Sequence, residues 1–473
     1  MPRYFVPMRR EALWWCLPAL VAVLWGSALA YDMVSRVRAL GCVENYGMAV
    51  YQQLIASAAV DGRYLQTIHT GYADSWMWSG HRSLWMLVVP HVYRFWPSAE
   101  MMVSLQAALL ALGCFPAFGL GWRSIGGPLG GALGLAIYAL FPAGYAVGRA
   151  DYQELSFGIP FFLLATHQAR RESVVGFVFA ALLLCSAREE WVLSVPLIGL
   201  AVPGSLIGRL RWAGIGAAVS AAYGLAVAYA GRNFEGYDNQ SVGQLAGMLE
   251  LGVKFSREWA DARRFYLGFF VPVQWLALLA PVTLLPALGT IFFHLAAPSQ
   301  GGVDVVWTGH IHHMAPVVAS GVAASIDGAG LVSRLIARLP RHVNVARGVA
   351  VAAFVLAIAL LGPLWMKATR VSPPLARWPT ASSPPRDAAW ALVDQIPVGA
   401  TVATDRQGSL LVAGRAGAYT YDESLADKLR GRSIAALDYL LVPAWDTGTL
   451  RQATGLGGTE LSRGGGYALL KMP

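Results

Sequence analysis

The feature that most restricts this chain is a succession of apolar runs, many close to the roughly 20 residues that a helix needs to cross a bilayer. Single or paired arginines separate them. The first run, Leu13 to Tyr31, follows Arg3, Arg9 and Arg10 and has no clear small-residue cleavage site. It reads as a retained span with a cytoplasmic N-terminus, which puts the next loop outside. Composition agrees: of 473 residues 56% are hydrophobic and only 13% charged, and mean hydropathy is +0.49. The net charge of +9 raises the question of nucleic acid, but the arginines punctuate spans instead of clustering on one surface. No nucleic-acid partner is expected. Cys16, Cys42, Cys114 and Cys185 have no metal-ligand spacing, and no disulfide framework is expected.

Following the arginine turns gives about eleven crossings, hence an all-α polytopic membrane fold. Residues 1–370 form this domain, with a large first outer loop at 32–97. Within the loop, Leu84 to Trp96 is short and interrupted by Pro90, His91 and Arg94, so a re-entrant or interfacial helix is expected. Phe265 to Ala297 carries several prolines and reads as a broken hairpin, and Met314 to about Asp327 re-enters. A Pro/Ser/Arg-rich linker occupies 371–389. The remainder, 390–473, is expected to be a small extracytoplasmic α/β domain, with strands at Thr401–Thr404, Gly417–Tyr421 and Leu437–Val442 and helices at Ser409–Ala413 and Ser424–Gly431. It has no glycine loop, nucleophile elbow or metal cluster, and reads as a cap or docking module.

Polar groups beside aromatics crowd the first loop, and further acids stand at the outer mouths of spans. Such places hold polar ligands, because membrane-embedded helices offer few such groups. Asp151 and Glu154 occupy one mouth, and Arg188, Glu189 and Glu190 the next. Converging on one pocket, they would supply a general base or hold a divalent ion on a phosphate; otherwise they are interfacial charges paired with arginine. His310, His312 and His313 lie within four positions, but their spacing does not put all three on one helical face. Phosphate contact or capping fits them better than a metal site. His81 and Arg82 precede the interfacial helix, where an arginine suits an anionic head group. Trp76, Trp78, Trp85 and Trp96 fit an interface belt better than a sugar platform.

The order of several short motifs resembles a known family. Tyr51-Gln52-Gln53, Gly62-Arg63-Tyr64-Leu65, His81, Pro90, Tyr93 and Pro97-Ser98 are followed by Gln106, Pro116, Tyr138 and Pro142. Asp151-Tyr152-Gln153-Glu154, Arg188-Glu189-Glu190 and His312-His313-Met314 complete the series. From about residue 33 to 445 this pattern is similar to the bacterial and archaeal membrane-protein family called domain of unknown function 2079. That family is similar in plan to polytopic glycosyltransferases of the C-type fold, which take a sugar from a polyprenyl-phosphate donor at the outer side of the cytoplasmic membrane.

The resemblance implies a catalytic acid near Tyr46 to Gln53. Asn45 or Gly47 occupies the expected region and Gln52 stands in place of the second acid; an amide cannot take up a proton at neutral pH. The role then passes to Glu44 or Asp74, or the activity is altered or lost. By the same resemblance His81 and Arg82 neutralise the donor phosphate, while Glu154, Glu189 and His313 position the sugar or a divalent ion. Asn45, Gln53, Asp151, Arg188, Glu190 and His312 complete the expected substrate-binding set. Partners are membrane lipid and the polyprenyl-phosphate sugar donor. A non-catalytic lipid-linked-sugar binding protein is the alternative. A transporter fits less well, for lack of an internal repeat.

Overall fold

The computed structural model describes residues 13–42, 45–68, 74–75, 83–141, 144, 147–148, 151–231, 276–296, 314–337, 387–415, 417–421 and 437–473. In chain order the helices are α1 (Cys16–Arg38), α2 (Asn45–Asp61), α3 (Trp85–Tyr93), α4 (Ala99–Ala111), α5 (Cys114–Gly121) and α6 (Gly127–Ala139). Then follow α7 (Gly158–Arg170), α8 (Val174–Ala187), α9 (Ser194–Leu200), α10 (Leu206–Gly231), α11 (Pro281–Ala296) and α12 (Ala315–Ala337). The C-terminal region adds α13 (Asp387–Val393), α14 (Ser409–Val412) and α15 (Thr447–Gly455). A hairpin of β1 (Leu65–Gln66) and β2 (Asp74–Ser75) lies in the first loop. Near the C-terminus β3 (Val402–Asp405), β4 (Ala418–Tyr421), β5 (Tyr439–Pro443), β6 (Thr459–Gly464) and β7 (Tyr467–Lys471) form one sheet. The protein is thus mostly helical, with a small C-terminal sheet.

Among the described residues, four helical stretches are long and apolar enough to cross a membrane: Leu13–Arg38, Ala99–Ala139, Leu206–Tyr229 and Ala315–Leu335. The second is two antiparallel arms. Gly126 and Gly127 take φ of +113° and +63°, a region open to glycine, and the chain doubles back there. As a result a Cβ on Gly121 would lie 2.2 Å from the Gly130 carbonyl and 2.8 Å from Gly134 Cα. Only glycine allows α5 and α6 so close, the packing that replaces the hydrophobic drive between helices in lipid. The predicted span Ala346 to Met366 and helix Ser424 to Gly431 lie outside the described residues.

The chain divides into two compact units. One, the helical unit, comprises Met1–Ala30, Gln106–Val227 and Asn239–Trp378. Its central feature is the hairpin of α7 and α8. The Glu172 backbone at φ 57° turns the chain, and the Ser173 hydroxyl caps α8 by accepting from Gly176 N at 3.2 Å. Along α8 the inward residues Phe177, Ala180, Ala181 and Leu184 are buried, whereas Val175, Phe179 and Leu182 are exposed, as a lipid-facing stripe would be.

The other unit comprises Tyr31–Leu105, Ala228–Asp238 and Pro379–Pro473, so the first loop and the C-terminal module belong together. The sheet runs β4-β3-β5-β7-β6, parallel among the first three strands and antiparallel thereafter. The three predicted strands correspond to β3, β4 and β5; β6 and β7 extend the sheet beyond that expectation. Helix α3 spans only nine residues and contains Pro90. It buries Met86, Val89 and Tyr93 while exposing Leu87, Val88 and Val92.

At the end of β3, burial holds the Asp405 carboxyl above its ordinary pKa, while hydrogen bonds from Gly408 N (2.8 Å) and the Tyr467 hydroxyl (3.3 Å) pull the other way. A folded pKa above the unfolded one means that the contribution to stability is complete below the unfolded value and declines as pH rises through the folded one. Asp405→Asn should flatten that decline, measured as unfolding midpoint across the window just above the ordinary carboxylate pKa.

Candidate functional site

Two acidic motifs meet in the helical unit. Gln106, fully buried in α4, braces the first: its Nε2 donates to the carbonyls of Gly148 (3.1 Å) and Asp151 (3.3 Å), and its Oε1 accepts from Gln153 N (2.7 Å). One amide therefore satisfies three backbone groups that are buried away from water. Asp151 and Glu154 follow from this loop, both buried, Glu154 at the start of the 3-10 turn Glu154–Phe157.

The second motif begins where α8 stops. Arg188 is extended (φ −169°, ψ 151°), and Glu189 opens the 3-10 turn Glu189–Leu193. The Arg188 side chain is only 1% exposed, and its Nη2 lies 3.1 Å from Glu190 Oε1. Trp191 joins the motifs: fully buried, it donates from Nε1 to the Leu155 carbonyl at 3.0 Å. Its ring occupies the space that Gly158 leaves open, since a Cβ there would sit 2.1 Å from Trp191 Cε2. Carboxylates on two adjoining turns can accept hydrogen bonds from the hydroxyls of a polar ligand, while the buried Arg188 guanidinium, paired with Glu190, offsets part of their charge.

In the loop-and-sheet unit, Gln53 is buried and its amide is engaged internally. Its Oε1 accepts from Thr67 N (2.7 Å) and Ile68 N (3.1 Å), and its Nε2 donates to Thr67 Oγ1 (3.0 Å) and the carbonyls of Arg415 (2.9 Å) and Ala418 (3.4 Å). The Thr67 hydroxyl also donates to the Ala418 carbonyl, and the Thr420 hydroxyl donates to that of Ile68 at 2.7 Å. Arg406 stacks over the Tyr46 ring, 4.9 Å from its centroid. Gln53→Leu should cost about 2 kcal/mol, because it strands two buried N–H donors; thermal unfolding of the purified protein measures this.

The same unit has an open pocket of about 350 Å³ lined by Arg38, Gln52, Ser98, Glu100, Asp387 and Trp390. Arg38 grips Glu100 with two hydrogen bonds (2.8 and 3.3 Å), and Trp390 Nε1 donates to the Arg38 carbonyl at 3.3 Å. Gln52 reaches the Tyr93 hydroxyl at 3.4 Å. Of these lining residues only Gln52 and Ser98 fall in the motifs of the sequence, and Arg38 and Trp390 look there like an interfacial arginine and an ordinary aromatic.

Of the expected site residues, Asp151, Glu154, Arg188, Glu189 and Glu190 are brought onto adjoining turns. Asn45 opens α2 and Asp74 opens β2, each described in backbone only. Glu44, His81, Arg82, His312 and His313 lie outside the described residues. Among the described residues no group of three His, Cys, Asp or Glu side chains is arranged to hold a metal ion. Trp191 is the addition the structure makes, and it gives Gln106, until then only a member of the motif series, a bracing role. Besides its place in that series, Gln106 is an amide within an otherwise apolar run, which in a membrane helix demands a partner.

A family model described as "Predicted membrane protein (DUF2079)" matches residues 251–456. No curated protein is significantly similar in sequence. Among solved structures, ArnT from Cupriavidus metallidurans bound to undecaprenyl phosphate is similar, with a TM-score of 0.57 at 12% identity, over 95% of this chain and 97% of that one. The apo state of the same ArnT gives 0.54 at 12% identity, over 97% and 98%. At that identity the likeness establishes a shared fold, and it does so over nearly the whole length of both chains.

Proposed function

We propose that this protein is an integral membrane glycosyltransferase of the C-type fold, taking a sugar from a polyprenyl-phosphate donor at the outer face of the cytoplasmic membrane. The observation that carries the reading is fold likeness along nearly the full chain to a protein crystallised with undecaprenyl phosphate. The meeting of Asp151 and Glu154 with Arg188, Glu189 and Glu190 supports it, because sugar hydroxyls need acceptors in a region otherwise lined by apolar helices.

In this mechanism Glu44, or else Asp74, takes the proton from the acceptor hydroxyl. Arg82 and His81 neutralise the donor phosphate, and Glu154, Glu189 and His313 orient the sugar or a divalent ion where one is used. The lipid tail lies along apolar helices beside the polar site. A second reading, a lipid-linked-sugar binding protein without catalysis, draws support from Gln52, an amide where the resembling family has an acid.

Lipid-linked glycan profiles of a deletion strain test the proposal: a missing or truncated glycan is expected, and an unchanged profile would count against an enzyme. In a transfer assay Glu44→Gln should lower kcat by about 10²-fold or more if that residue is the base. Glu154→Gln should act mainly on KM, as loss of a positioning contact does. Full transfer by both a Glu44→Gln and an Asp74→Asn variant would exclude both residues as the base, and no transfer by the parent protein would leave the binding reading.

A further inference from the structure

The acidic motifs occupy one end of the α7–α8 hairpin; the other end, about 20 Å away along thirteen helical residues, is basic. Arg170 there is already engaged: both its terminal nitrogens reach Asp327 at 2.5 Å, and Asp327 also accepts from Ser124 Oγ (3.0 Å) and Thr283 Oγ1 (2.8 Å). Around this neutralised pair stand Arg123, Arg171 and Arg334. Arg334 Nη1 donates to the Ser124 carbonyl at 3.2 Å, next in sequence to Arg123, while Arg123 and Arg171 lie within each other's field. All three are exposed, and among the described residues none forms an ion pair. Glu172 is the carboxylate that adjoins Arg171 in the chain, and it too is exposed.

What flanks these arginines sets the depth of the cluster. Leu129 is 60% exposed, Val175 83% and Leu335 52%, each within a few residues of Arg123, Arg171 or Arg334. Guanidinium groups bordering exposed aliphatic side chains match a phospholipid, with phosphate on the forks and acyl chain on the apolar border. A free anion in water gains nothing from that border. We infer that this end of the helical unit is a docking surface for the head group of an anionic phospholipid, a role separate from the glycosyl-transfer reading.

The test uses the full chain, purified and delipidated in neutral detergent, with thermal unfolding followed as phosphatidylglycerol, phosphatidylcholine or inorganic phosphate is added. Phosphatidylglycerol alone should raise the midpoint, and the rise should shrink at high salt. The triple variant Arg123→Gln/Arg171→Gln/Arg334→Gln, which keeps the Arg170–Asp327 pair, should bind phosphatidylglycerol roughly a hundredfold more weakly. Arg451→Gln, in the loop-and-sheet unit, should bind as the parent does. An equal response to phosphatidylcholine, the same response to phosphate alone, a salt-independent response, or a triple variant that binds like the parent would each overturn the assignment. Should the triple variant fail to purify, the lipid and salt dependence of the parent decides.

Discussion

Asp327→Ala should destabilise the helical unit by about 3–5 kcal/mol, the loss expected when one partner of a buried charge pair is removed. Arg170 is only 6% exposed, so without Asp327 its charge has neither water nor a counter-ion. The same change strips acceptors from Ser124 and Thr283, which belong to separate helical segments. Replacing both charges by Arg170→Met and Asp327→Leu should recover much of the loss, since buried pairs are often worth little more than well-packed apolar residues. Urea or thermal unfolding of the three proteins in one detergent reads the difference. Equal midpoints for Asp327→Ala and the parent would mean that water reaches Arg170.

Trp191→Ala should cost about 3–5 kcal/mol and also uncouple the two acidic motifs. The ring is fully buried, packs 6.0 Å from Phe162 between centroids, and fills the space above Gly158. Trp191→Phe separates two effects: it keeps most of the packing and loses the bond to the Leu155 carbonyl, at about 1 kcal/mol. Gly158→Leu should reproduce the alanine phenotype from the opposite side by expelling the indole. On the proposed function, transfer falls in Trp191→Ala and Gly158→Leu more than stability alone explains, measured at a temperature where each variant remains folded.

Much of this was open to reading from the amino acids. Apolar runs bounded by arginine placed α1, α8 and the turn between α5 and α6, because the cost of charge in lipid acts residue by residue along the chain. The acids at 151, 154, 189 and 190 stood out for the same reason. Asp327 misled: read as the end of a span, it lies well inside α12, which continues to Ala337. The ion pair that permits this joins residues 157 apart, and a hydropathy window cannot see a partner at that distance. Trp191, and the bracing role of Gln106, were hidden because an amide or indole among leucines has the same local pattern whether it packs or positions a loop. Strand β6, Thr459–Gly464, is mostly exposed and polar, so it lacks the nearly continuous burial that marks β3 to β5.

The Gln53 clamp constrains how the chain can be made. Its amide answers to the carbonyl of Arg415, 362 residues later, so at ordinary elongation rates the first loop is synthesised many seconds before its hydrogen-bond partners leave the ribosome. Until then Gln53 and Thr67 must stay hydrated or be shielded by another protein. A chain cut short before Arg415 lacks these carbonyl partners altogether, and its first loop carries the Gln53 amide without the groups that hold it.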